Sequence, residues 1–205
     1  MRNLRASWSL VAVLCGALVL AACGAGGTSS TGSAPTPKPT VVKAKPTGVP
    51  TITVPFCQGI LTVAEANQIM QPATPATNIR IDSSPAGGSC NYEYAQFKSV
   101  VSILFLPYHG PTPVTAQGFQ ALVVNLASQG GATITTQAIV SGVGDQATFL
   151  AVTGHADSLT IKQDTLYVLD GSVLMAFGNF APGSSPDATQ QGYLTQVGQL
   201  VVSRL

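Results

Sequence analysis

No acidic residue precedes Glu65 in this chain of 205 residues. Residues 1–56 carry five basic side chains and no acid; residues 57–205 carry four basic and eight acidic ones, a net charge of −4. Residues 24–55 hold five Gly, seven Thr, six Pro and three Ser, with no aromatic residue. A segment of that kind has too little apolar surface to offset the entropy of ordering it. It favours extended chain, with Pro35, Pro37 and Pro39 alternating in polyproline-II fashion. The fold is therefore expected in residues 57–205, long enough for one domain. The whole chain is only 8% charged, against about 25% for ordinary soluble proteins. A mildly acidic domain without a basic cluster excludes nucleic acid as a partner.

The first 22 residues read as a signal peptide. Arg2 and Arg5 precede an apolar run from Trp8 to Val19. That run is too short to span a bilayer core of about 30 Å comfortably and suits a signal h-region. Leu20-Ala21-Ala22-Cys23 then matches the bacterial lipobox. The match implies cleavage between Ala22 and Cys23 and a diacylglyceryl thioether on Cys23, giving a membrane-anchored protein. The alternative is an ordinary secretory signal cleaved nearby. Residues 23–56 are then a tether holding the domain off the membrane. Its Lys38, Lys43 and Lys45 either touch anionic lipid or wall polymer or serve only solubility.

The cysteines are Cys15, Cys23, Cys57 and Cys90. Cleavage removes the first and lipidation uses the second, so one pairing remains, Cys57 with Cys90. An exported compartment permits that bridge. Two free buried thiols are the alternative; a metal site is disfavoured because His109 and His155 lie at no ligand spacing to either cysteine.

Local patterns predict an α+β domain with an antiparallel sheet and helices packed on one face. Thr62-Val63-Ala64-Glu65 is a capping box opening a helix from Val63 to Met70. Asn91–Tyr94 and Val100–Leu106 read as strands. Thr115 caps a helix in which Phe119, Leu122, Val123 and Leu126 share a face, stopped by Gly130-Gly131. Thr133–Val140, Ala147–Val152, Ser158–Lys162, Thr165–Leu169 and Ser172–Phe177 read as further strands, the last two joined through Asp170-Gly171. Ser185, Pro186 and Asp187 open a last helix whose buried stripe is Tyr193, Val197, Leu200 and Val201. The two halves repeat hairpin, loop and helix as a pattern. A closed barrel is the competing architecture, and the two long helices count against it.

Catalytic signatures are weak. Gly142-Val143-Gly144-Asp145-Gln146-Ala147 satisfies G-x-G-x-x-A, with Asp164 further on, but a dinucleotide site needs a helix next and a strand is expected. His155-Ala156-Asp157-Ser158 holds triad residue types without the convergence a triad needs. No catalytic residue, metal ligand or cofactor is assigned. Glu65 is explained by capping, and Asp145 and Asp170 by turns.

The elements Cys57, Leu61-Thr62, Glu65-Ala66, Cys90-Asn91-Tyr92 and Val143-Gly144-Asp145-Gln146-Ala147, behind a lipobox, resemble the small surface lipoproteins of unknown function common in high-GC Gram-positive bacteria. The resemblance implies a disulfide-bearing α+β domain at the extracytoplasmic face of the cell membrane, and no catalytic residue. The expected role is binding of a neutral glycan or lipid, sensing, or docking on an envelope protein. The binding surface is expected on the exposed side of the sheet or in the groove beside the helices. An envelope hydrolase using His155 or scattered acids, and a structural subunit of a membrane complex, are the alternatives.

Overall fold

The structure, a computed structural model, describes residues 44–96, 98–111, 114–129, 133–156, 159–180 and 188–205. Helices α1 (Val54–Ile60) and α2 (Val63–Met70) lead into strands β1 (Asn78–Ser84), β2 (Gly87–Ala95) and β3 (Lys98–Pro107). Helix α3 (Ala116–Gln129) follows, then β4 (Thr133–Val140), β5 (Gln146–Ala156), β6 (Leu159–Asp170), β7 (Val173–Phe180) and helix α4 (Ala188–Arg204). The strands form one open, antiparallel sheet in the order β1-β2-β3-β7-β6-β5-β4. The α+β class and the antiparallel sheet are as expected, and β1 and β4 are edges where a barrel would have none.

Both faces of the β5-β6-β7 half are apolar. Phe149, Leu150 and Ala151 are consecutive and buried, as are Val173, Leu174 and Met175. Successive strand residues point to opposite faces, so such runs need cover on both sides. Phe149, Leu166, Val168, Met175 and Phe177 pack with Leu194, Val197 and Val201 of α4, in one core shared with α1 and α2. Leu150, Leu169 and Leu174 pack instead with Phe119, Val123 and Ala127 of α3. Three helices thus share one face, while α3 covers the other. The helix of the first half and that of the second half lie on opposite sides of the sheet, so the repeated pattern is not a repeated packing.

The expected boundary at Cys57 falls inside α1. Thr53 Oγ1 accepts from Phe56 N–H at 3.2 Å as its N-cap, and proline occupies the first turn. Ile52 is buried against Gly88, where an added Cβ would lie 2.7 Å from Ile52 Cγ1. Lys45 pairs with Asp145, and Pro46 O accepts from Ser172 N–H at 3.3 Å. Residues 44–53 are thus a strap on the domain and not tether. Their Thr/Pro-rich composition hid one buried isoleucine and one cap. Residues 1–43, with Ala22, Cys23 and most of the tether, lie outside the described residues, as do Gly130-Gly131 and Ser185, Pro186 and Asp187.

The capping box of α2 forms in full: Glu65 N–H donates to Thr62 Oγ1 at 3.2 Å and Thr62 N–H donates to Glu65 Oε2 at 2.8 Å. Cys57 and Cys90 form a disulfide, Cα–Cα 5.8 Å, joining α1 to β2. Tyr92, on the same side of β2, places its hydroxyl 2.9 Å from Cys57 O and 2.8 Å from Leu61 O. Burial pushes the Tyr92 hydroxyl pKa upward, so it stays protonated as the donor. The strands expected at 158–162 and 165–169 are one strand, β6, and the hairpin turns at Gly171-Ser172, because Asp170 still pairs with Val173. Gly171 has φ +59°, and an added Cβ there would meet Pro46 O at 2.4 Å, so strap and turn fit only with glycine.

Candidate functional site

The face that α3 half covers changes character along the sheet. Under α3 it is apolar. Across β1 and β2 it carries Arg80, Asp82, Ser89, Asn91 and Glu93, set by registers that place Arg80 opposite Asn91 and Asp82 opposite Ser89. The alternation is strict: Ile79 and Ile81 face the α1/α2 core while Arg80 and Asp82 face away. In the same way Cys90 and Tyr92 point inward and Ser89, Asn91 and Glu93 outward.

These five side chains form a connected ladder. Arg80 Nε donates to Glu93 Oε1 at 2.7 Å, and Arg80 also pairs with Asp82. Asn91 Nδ2 donates to Asp82 Oδ2 at 3.1 Å and to Ser89 Oγ at 2.9 Å, and Ser89 Oγ donates to Asp82 Oδ2 at 3.4 Å. Glu93, Asn91 and Ser89 are buried, with Glu93 only 2% exposed. The Asp82 side chain is 49% exposed and is the accessible end of the array. With one cation against two carboxylates the ladder is net −1. It accepts hydrogen bonds more readily than it donates them, so it suits ligands rich in hydroxyl or amine donors and repels anions.

Beside the ladder, Ser102 is paired with Asn91 and Leu104 with Ser89. Next along the face come Gly178 and Ala176 of β7, then Thr165 and Tyr167 of β6. Leu104, Ala176 and Tyr167 are half-buried. Tyr167 packs against the apolar cluster under α3, and burial raises its hydroxyl pKa. A polar rail, a floor of small and apolar side chains and a helical wall thus run side by side. A separate cleft of about 410 Å³ lies between the strap and the β1–β2 turn, lined by Pro50, Ile52, Ser84, Pro85 and their neighbours, without an ionisable side chain in its wall.

The Gly142–Ala147 string is the turn between β4 and β5 together with the first two residues of β5. Gly142 and Gly144 have φ of +78° and +58°, and strand β5 follows directly. No helix N-terminus is offered to a pyrophosphate, so the dinucleotide reading has no geometry behind it. Asp145 serves as a clip: its Oδ2 accepts from Gly171 N–H at 3.0 Å and its other oxygen pairs with Lys45. Burial pushes the Asp145 carboxyl up, but the Lys45 ammonium and the Gly171 N–H together outweigh it and hold its pKa below the usual range.

Glu65 is likewise structural. Arg204 grips it through two hydrogen bonds of 2.9 and 2.7 Å, and with the Thr62 cap this lowers its pKa to about 2. Asp164 is buried in β6 opposite Ala151 and Asn179. His155 stands in β5 opposite Thr160; Asp157 and Ser158 lie outside the described residues. His109 is exposed in the loop after β3. Among the described residues no three potential ligands gather as a metal site, and no helix is long and apolar enough to cross a membrane.

The Arg80–Glu93 ladder escapes the sequence reading although its signal is visible. Ile79-Arg80-Ile81-Asp82 alternates with period two, and so does Ser89-Cys90-Asn91-Tyr92-Glu93. No protein-family model matches the chain, and no curated protein is significantly similar to it.

Proposed function

We propose that this is a lipid-anchored protein of the bacterial cell envelope whose domain binds an uncharged, hydroxyl-rich ligand, a glycan by chemistry, along the β1–β2 ladder. The observation that carries the reading is the ladder itself. Five polar side chains are pre-positioned by strand register and by mutual hydrogen bonds, with an accessible carboxylate and an apolar floor beside it. Pre-positioning lowers the ordering cost of binding. A sugar presents hydroxyl donors along its rim and C–H groups on its faces, and rail and floor match those two surfaces. The anchor is inferred from the lipobox at Cys23, with residues 24–43 as spacer. The reading is non-enzymatic, since Glu65, Asp145 and Arg204 are engaged in holding the fold.

Titration of the full-length protein in non-ionic detergent with neutral oligosaccharides released from the host envelope tests the site. Binding is expected, and Asp82→Ala should weaken it by roughly tenfold, the loss expected of a charged hydrogen-bond acceptor. Absence of binding, or binding indifferent to Asp82→Ala and Ser102→Trp, overturns the ligand assignment. Separately, Cys23→Ala should block lipid attachment; an unmodified mature N-terminus away from Cys23 in the wild type refutes the anchor.

A further inference from the structure

The two edges of the sheet are built differently. Edge β1 carries Arg80 and Asp82, is followed by Pro85 and lies beside α1. Charge and proline next to an edge are the usual guards against strand addition. Edge β4, Thr-Ile-Thr-Thr-Gln-Ala-Ile-Val, has no charge and no proline. Thr133, Thr135, Thr136, Gln137 and Ile139 on it are exposed. Ile139, at 41%, is one of three large apolar side chains exposed among the described residues. Among the described residues no strand pairs with the outer side of β4. The lack of charge extends beyond the strand: from Ser99 to Gly144 the chain has no Asp, Glu, Lys or Arg, and this stretch includes all of α3, which packs on β4 and β5.

We infer that β4 pairs antiparallel with β4 of a second copy of this chain, joining two sheets about a two-fold axis perpendicular to them. The charge pattern selects this occupant. At a two-fold contact each residue near the axis meets its own copy, so any charge there faces a like charge. A different partner imposes no such condition and is more readily held by complementary charge. β4 and α3 satisfy the self-pairing condition with no charged residue at all. The symmetry operation also keeps corresponding faces on the same side, so α3 and its copy become neighbours across the axis and extend one apolar-backed layer. β-branched residues supply six of the eight β4 positions, all but Gln137 and Ala138, suiting an added pleated strand. The inference does not depend on the ligand proposed above, whose ladder lies on the opposite half of the sheet.

Light scattering on size-fractionated full-length protein in non-ionic detergent tests it. The wild type should be dimeric. Gln137→Lys with Ile139→Lys, and Gln137→Glu with Ile139→Glu, should each weaken the dimer by roughly tenfold or more, since both positions are exposed and now oppose like charges. Mixing the two double variants should restore dimers, which a mere loss of folding would not do. Ser83→Lys on the β1 edge should leave the dimer unchanged. A wild type that stays monomeric as concentration is raised overturns the inference, and so does a dimer insensitive to both double variants. A monomer whose β4 amides become protected only when another envelope protein is added would assign the edge to that partner instead.

Discussion

The β1–β3 end and the β4–α3 end of the sheet are held by different forces. At the first, α1 is bonded covalently to β2 through Cys57–Cys90, Tyr92 bonds to helix carbonyls, and Arg80 joins two acids. At the second, Phe119, Val123 and Ala127 of α3 press on Leu150, Leu169 and Leu174, with no charge between Ser99 and Gly144. One end is stapled and polar on its outer face; the other depends on apolar burial. In a chain that is only 8% charged, ion pairs among the described residues tie distant segments together at Lys45–Asp145, Arg80–Glu93 and Arg204–Glu65.

The comparison can be broken at several strengths. Replacing both cysteines with serine should cost about 4 kcal/mol, from the loop entropy restored to the unfolded chain. Denaturant unfolding under non-reducing conditions measures it, and hydrogen exchange should report the loss first at α1 and β2. Val123→Ala should cost about 2 kcal/mol and loosen α3 while leaving β1–β3 protected. If both changes open the same amides, the two ends are one cooperative unit and the contrast fails. Tyr92→Phe removes a buried donor and should cost about 1 kcal/mol.

The smallest effect is a pH dependence. The Glu65 pKa lies near 2 in the fold against an ordinary 4.5. Its stabilising contribution is therefore full above the ordinary value and is lost as pH falls through about 2. Arg204→Met should flatten that acid limb, read as melting temperature against pH, without disturbing the α3 end.

Much of the fold was legible because local signals agreed with the tertiary ones. The Thr62–Glu65 box, the Thr115 cap and β4 lie where their patterns put them. Helix α1 was obscured because Val54-Pro55-Phe56-Cys57-Gln58-Gly59-Ile60 is two turns long and contains both helix breakers. Strand β1 is left unassigned from sequence, since its apolar residues are only Ile79 and Ile81 and Ser83-Ser84-Pro85 closes it. The face chosen by α3 has no local signal at all. Only the continuous apolar runs of β5, β6 and β7 reveal that a second face needs cover, and they do not say which helix provides it. The ladder shares that limit: Arg80 and Glu93 are thirteen positions apart, and only the β1–β2 register makes them neighbours.

The strap has a mechanical consequence. A pull on the N-terminus first loads Lys45 and Pro46 at the Gly171 turn, then Ile52, then Cys57. The dozen residues from Lys45 to Cys57 can pay out at most about 40 Å of slack. Beyond that the bridge to Cys90 carries the tension into β2, which has hydrogen-bonded neighbours on both sides. The loop between the two cysteines is bypassed and bears no load. Traction along the leading segment thus ends in the body of the sheet, like a rope made fast to a beam instead of to the planking.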